Sequence, residues 1–95
     1  MKFMKYTVKP TGRFRKDYKL AIRRGQKIEL LDAMIARLAK GEVLEPSSRD
    51  HELSGEYAGH RECHITPDWL LIYRVDGETL ILLLTRTGSH SDLFR

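Results

Sequence analysis

The histidines of this chain, His51, His60, His64 and His90, all fall in its second half, near Asp68 and Arg86. No Ser–His–Asp order, P-loop, G-x-G-x-x-G or C-x-x-C motif is present. Any catalysis therefore falls to His, Asp and Arg. Histidine suits proton transfer near neutrality because its reference pKa is about 6.5. One well-placed acid or base contributes roughly 10²–10⁴-fold in rate. Arginine presents a planar, permanently charged fork that matches a phosphate. Together these groups suit phosphodiester cleavage without a metal. A base takes the proton of a ribose 2′-OH, which attacks the adjacent phosphorus. An acid protonates the leaving 5′-oxygen, and a cation stabilises the charge on five-coordinate phosphorus. Only RNA supplies that internal nucleophile. A metal site is the competing use of such residues, but the spacings match no standard zinc or iron ligand set. Each residue also has a plainer reading. A histidine in a small protein is most often a surface side chain, Asp68 can cap a turn, and Arg86 can pair with a nearby acid.

The elements that must position these residues follow from periodicity. "KFMKYTVKP" (2–10) alternates between lysine and apolar residues and reads as an edge strand closed by Pro10 and Gly12. Its lysines protect that edge from further pairing. "RFRKDYKLAIRRG" (13–25) places Phe14, Tyr18 and Ile22 on one stripe with Ala21 beside them, and ends at Gly25. "QKIELLDAMIARLAKG" (26–41) places Ile28, Leu31, Ile35 and Leu38 on one face, widened by Leu30 and Met34. The short connection predicts a helical hairpin. Residues 42–60 form a long polar connection that carries His51. Long loops in small domains are often functional. Three strands follow, 60–66, 68–75 and 78–86, with Asp76-Gly77 as a tight hairpin turn between the last two. The order β-α-α-β-β-β predicts an α+β domain, an antiparallel or mixed sheet with the helical hairpin on one face. If the three last strands are sequential neighbours, His64, Asp68, Arg86 and His90 share one rim. His90 then follows a Thr87-Gly88 turn.

The chain has 95 residues, which predicts one domain over 1–95. Hydrophobic residues make up 41% and charged residues 32%, as in a soluble globular protein. The apolar runs "WLLIY" and "LILLL" are far shorter than the roughly 20 residues of a membrane helix. No signal peptide is visible, and a cytoplasmic location is expected. A single cysteine, Cys63, excludes an internal disulfide. The net charge of +4 is unevenly spread: residues 1–27 hold ten Lys and Arg against one acid, Asp17, while the remainder is net acidic. That basic block suits an anionic partner, nucleic acid or an acidic protein, or is a well-solvated surface.

The segment "DHELSGEYAGHRECHITPDWLLIYRV" followed by "LTRTGSHSDLF" resembles the YafQ branch of the RelE-like bacterial toxins of type II toxin–antitoxin systems. The shared pattern runs D-H-x-L-x-G, G-x-R-E-x-H-I-x-P-D-W-L-L-I-Y and R-T-G-S-H-x-x-L-F, from Asp50 to Phe94. The resemblance implies a small RelE-like domain and an endoribonuclease that cuts messenger RNA on the 70S ribosome, typically in the A site. It implies no metal and no cofactor. His51, His64, Asp68 and His90 carry over as catalytic residues. Arg86 carries over as the residue that binds phosphate and stabilises the transition state, and Phe94 as an aromatic that positions RNA. His90 is read as the base and His51 or His64 as the acid. The implied partners are a cognate antitoxin and, only as the toxin–antitoxin complex, operator DNA, with no role for a membrane. His60 departs from the family pattern and is read as a surface histidine. Two alternatives stand beside this reading: a ParE-like toxin that inhibits gyrase, and a non-catalytic RNA- or protein-binding module.

Overall fold

A computed structural model describes residues 4–94. The first element is a short strand, β1 (Thr7–Pro10), narrower than the expected 2–10, of which residues 2–3 lie outside the described residues; the chain turns at Thr11 into helix α1 (Gly12–Arg23). Thr11 does two jobs there. Its Oγ1 accepts the Phe14 N–H at 3.0 Å, capping the helix, and its hydroxyl donates to the Thr85 carbonyl at 2.8 Å. The first helix is thereby tied to the last strand.

Helix α1 ends at Gly25, whose φ of 78° closes the turn, with the Gln26 N–H reaching back to the Ala21 carbonyl. Helix α2 (Ile28–Ala39) ends the same way at Gly41. Phe14, Ala21, Leu31 and Leu38 are buried, as the helical stripes predict, and Ala39 is buried beside them. Ile22 and Leu30 are exposed instead, because each lies at the margin of its stripe. The Tyr18 hydroxyl donates to Asp32 at 2.8 Å and links the two helices.

Four further strands complete the sheet: β2 (His51–Glu52), β3 (Arg61–Thr66), β4 (Trp69–Asp76) and β5 (Ile81–Gly88). Their order is β1-β5-β4-β3-β2. All neighbours are antiparallel except β1 and β5, which run parallel with Val8 opposite Leu82. The sheet is therefore mixed, and β1 lies at an edge as expected. The strand β2 was not predicted. Two residues carry no periodic signal, and their pairing with Glu62 and Arg61 is set by tertiary structure.

Side chains on β4 alternate between two cores. Trp69, Leu71 and Tyr73 pack with Cys63, Leu82, Leu84 and the helical residues. Leu70 and Ile72 point the other way and are covered by Leu93, Leu53 and Tyr57. This explains why "WLLIY" is apolar throughout: both faces of the strand are buried. Cys63 is fully buried, and burial pushes its thiol up to about 12, well outside the reactive range.

Two turns differ from expectation. The Asp76-Gly77 pair does not form a two-residue hairpin. Asp76 Oδ1 accepts the N–H groups of Glu78 (3.0 Å) and Thr79 (3.2 Å), which widens the turn to residues 77–80 and starts β5 at Ile81. Leu80 then sits at φ 55° with its side chain largely in water. An L-residue there is strained by roughly 1 kcal/mol or more. Leu80→Gly is expected to raise the urea midpoint, stabilising the fold by about 0.5–1 kcal/mol. The second difference is at Thr87-Gly88, which is strand rather than turn: β5 continues to Gly88, and helix α3 (His90–Leu93) follows.

Candidate active site

The polar residues of interest gather around the face of the sheet that α1 and α2 leave open. On β3, Glu62 pairs with Ile72 and His64 with Leu70, so both project from the Leu70/Ile72 side. Arg86 on β5 pairs with Ile72, just past a bulge where Thr85 is the extra residue. The short helix α3 folds back over this face and buries Leu93 against Leu70 and Ile72.

A capping box fixes α3. Ser89 Oγ accepts the Asp92 N–H at 3.1 Å, and Asp92 Oδ2 accepts the Ser89 N–H at 3.0 Å. Arg24 adds an ion pair to the same carboxylate at 2.9 Å. The Ser89 N–H is the main reason that the Asp92 carboxyl lies below its ordinary range; burial opposes it, and the Ser89 hydroxyl and Arg24 add to it. A depressed carboxyl stabilises the fold above its unfolded value of about 3.9, and that contribution is lost as pH falls through the folded value. Asp92→Ala is expected to cost about 1 kcal/mol at neutral pH. In acid melts the gap to the parent should close below about pH 4.

Helix α3 brings His90 to His64, with ring centroids 5.8 Å apart. Asp68 Oδ1 accepts the His90 N–H and faces His90 Nδ1, both at 3.3 Å. Phe94 lies 6.1 Å from the His90 ring and meets Tyr57 edge-on at 5.8 Å. His64, Asp68, His90 and Phe94 thus converge, as connectivity predicted for the first three.

Arg86 reaches the same region but is tightly held. Its Nε and Nη2 donate to Asp17 at 2.7 and 3.1 Å, and Asp17 also accepts the Thr87 N–H at 3.2 Å. The Asp17 bond, against the opposing effect of burial, raises the guanidinium above its already high range, and the nearby Tyr57 hydroxyl adds to this. The fork is therefore permanently charged and fixed along one edge.

His51 sits on the edge strand β2. Its Nδ1 faces the Arg49 carbonyl at 2.6 Å, and its Nε2 lies 3.0 Å from Glu62 Oε2. His64 Nε2 stands 3.9 Å from that same oxygen. Glu62 is almost fully buried, and its Oε1 has no hydrogen-bond partner. The preceding residue, Asp50, anchors the strand from the other face: it accepts the Tyr73 hydroxyl at 2.6 Å and Arg61 Nε at 3.2 Å. Burial, with the Asp50 bond second, raises the Tyr73 phenol well above its usual value.

Three residues of this site were not singled out from sequence. Glu62 had a signal, a charge two positions from His64 and hence on the same strand face. Asp17 had a weaker one, as the lone acid of the basic block. Tyr57 had none. His60 is half-buried, with its ring 6.1 Å from Tyr57 at the margin of the cluster.

Fold and site together define a class of protein: a small α+β domain whose mixed sheet, with α1 and α2 on one side, presents paired histidines and a clamped arginine on the other. The comparisons give the family. The family described as "Bacterial toxin of type II toxin-antitoxin system, YafQ" matches residues 6–95. The mRNA interferase toxin YafQ of Escherichia coli is 35% identical over 85 residues, covering 88% of this chain and 90% of that protein. The E. coli DinJ-YafQ toxin–antitoxin complex contains a chain of TM-score 0.87 and 32% identity, covering 97% of this chain and 100% of that one. A metal-bound toxin from Helicobacter pylori has TM-score 0.87 and 38% identity, covering 94% of this chain and 99% of that one. This chain belongs to the YafQ family of toxins of bacterial type II toxin–antitoxin systems. Among the described residues no three His, Cys, Asp or Glu side chains come together as ligands for a metal ion. No helix of the described residues is long and apolar enough to cross a membrane.

Proposed function

We propose that this protein is an endoribonuclease that cuts messenger RNA in the A site of the translating ribosome, by metal-independent acid–base chemistry on the ribose 2′-OH. The observation that carries the reading is the His64–His90 pair, 5.8 Å apart with Asp68 against His90. Two imidazoles at that spacing can flank one phosphate. With Nδ1 turned to Asp68, Nε2 of His90 is the nitrogen left to take the 2′-OH proton. Asp68 orients that ring and stabilises the imidazolium that forms. His64 protonates the leaving 5′-oxygen, with Glu62 and His51 behind it. Arg86 stabilises the charge on phosphorus, and Phe94 offers an aromatic surface to a base.

The relative in E. coli is named an mRNA interferase and forms a complex with the antitoxin DinJ. A cognate antitoxin is accordingly the expected protein partner here, with operator DNA bound only by the complex. The exposed Lys and Arg residues of α1 suit ribosomal RNA, by contacts that are sequence-independent and weaken with salt.

The test is a defined message on translating ribosomes, with the 5′ ends of the products mapped by primer extension. The expected result is cleavage within the codon in the A site, unchanged by a chelator of copper and zinc. Cleavage at the same sites on free message, or loss of activity with the chelator, would contradict the ribosomal or the metal-independent part respectively.

A further inference from the structure

We infer that the cleft between the end of β5 and the end of α1 is a subsite for one nucleobase beside the phosphate that is cut, which rests on the RNA-cutting reading above. The cleft holds about 360 Å³ and is bounded by both Asp68 and Arg86. That volume is at the lower end of small-molecule sites, room for a single flat heterocycle rather than a folded segment. Leu20, Ala21 and Trp69 supply apolar wall, and Arg24 and Gln26 supply polar groups at the margin.

The charge of the cleft selects its occupant. Arg86 is paired with Asp17, and Arg24 with Asp92. Asp68 adds a third carboxylate, so two guanidinium groups face three carboxylates. Over the whole lining the carboxylates outnumber the guanidinium groups, so a phosphate seated inside the cleft, rather than at its Arg86 edge, would meet net negative charge. A neutral ring with donors and acceptors along its edge finds partners of both kinds.

Position supports the same occupant. Asp68, which bounds the cleft, accepts the His90 N–H at 3.3 Å. The cleft therefore opens one side chain away from the proposed base. A strand whose phosphate lies between Arg86 and His90 brings a neighbouring base to this opening. The cleft is then the part of the site that reads sequence.

The experiment uses four messages that differ only at the nucleotide adjoining a mapped cut, each translated on ribosomes with the full-length toxin. The parent is expected to cut them at rates spread over roughly tenfold, the worth of one hydrogen-bonded base contact. Gln26→Ala removes a polar group from the margin, and Leu20→Phe fills the cleft without breaking an ion pair. Both are expected to narrow the spread to about threefold or less, and Leu20→Phe to raise the apparent KM on the favoured message roughly tenfold. Circular dichroism confirms that both variants fold. If both cut with the parental spread, or if the parent shows no spread, the subsite is overturned while RNA cutting stands. A parent that leaves every message intact overturns the RNA-cutting reading and the subsite with it.

Discussion

His90→Ala is expected to cut message on the order of 10³-fold more slowly than the parent, with almost no loss of stability. The two halves of that expectation come from different atoms. His90 is more than half exposed, so truncating it removes little packing. The cap that holds α3 lies in Ser89 and Asp92, and the anchor that buries it is Leu93. What the substitution removes is the imidazole 5.8 Å from His64 and the partner of Asp68. His64→Ala should lower the rate by a similar factor. The double variant should lose little more than either single one, because an acid and a base acting on one phosphate work as a unit. Equal stability in urea with a collapsed rate distinguishes this from damage to the fold. A rate within tenfold of the parent would remove His90 from the reaction.

Arg86→Ala is the second large effect, and it acts on both rate and stability. Removing one donor aimed at developing charge lowers kcat roughly 10²–10³-fold. The side chains of Arg86 and Asp17 are only 12% and 13% exposed. Breaking the pair leaves a mostly buried carboxylate holding only the Thr87 N–H, at a cost of about 2–3 kcal/mol. At 4–8 °C per kcal/mol for a chain of this size, the melting midpoint should fall by roughly 10 °C or more. Asp17→Ala separates the two contributions. It should destabilise similarly, because it leaves a buried guanidinium, yet keep more activity, because the cation stays beside the phosphate. Arg86→Lys should rescue little, since an ammonium cannot replace the two-point bond to Asp17. If Arg86→Ala and Asp17→Ala lose activity equally, Arg86 is a structural residue and not a catalytic one.

The sequence and the structure agree where the signal is periodic. The helical stripes ending at Gly25 and Gly41 and the order of the longer elements, β-α-α-β-β-β, follow from spacing. The rim shared by His64, Asp68 and His90 follows from connectivity, because consecutive antiparallel strands must bring those ends together. The features that spacing could not carry are the long-range ones. Asp17 and Arg86 lie 69 positions apart, and nothing local announces their bond. The two-residue β2 exists because Asp50 docks onto Tyr73 and Arg61 on one face while His51 meets Glu62 on the other. Helix α3 was legible in principle: Ser89-x-x-Asp92 is a capping pattern, but four residues are too few for any stripe. The Asp76-Gly77 turn misled for a physical reason, since Asp76 spends its carboxylate on Glu78 and Thr79 and so widens the turn.

In this mechanism the attacking group belongs to the RNA, and the protein only moves protons and balances charge. A message carrying one 2′-deoxy nucleotide immediately 5′ of the mapped cut tests it most directly. The predicted result is that cleavage stops at that phosphate alone, while phosphates elsewhere in the same message are cut at the parental rate. Continued cutting at the deoxy position would contradict the account, whatever the variants of His64, His90 and Arg86 had shown.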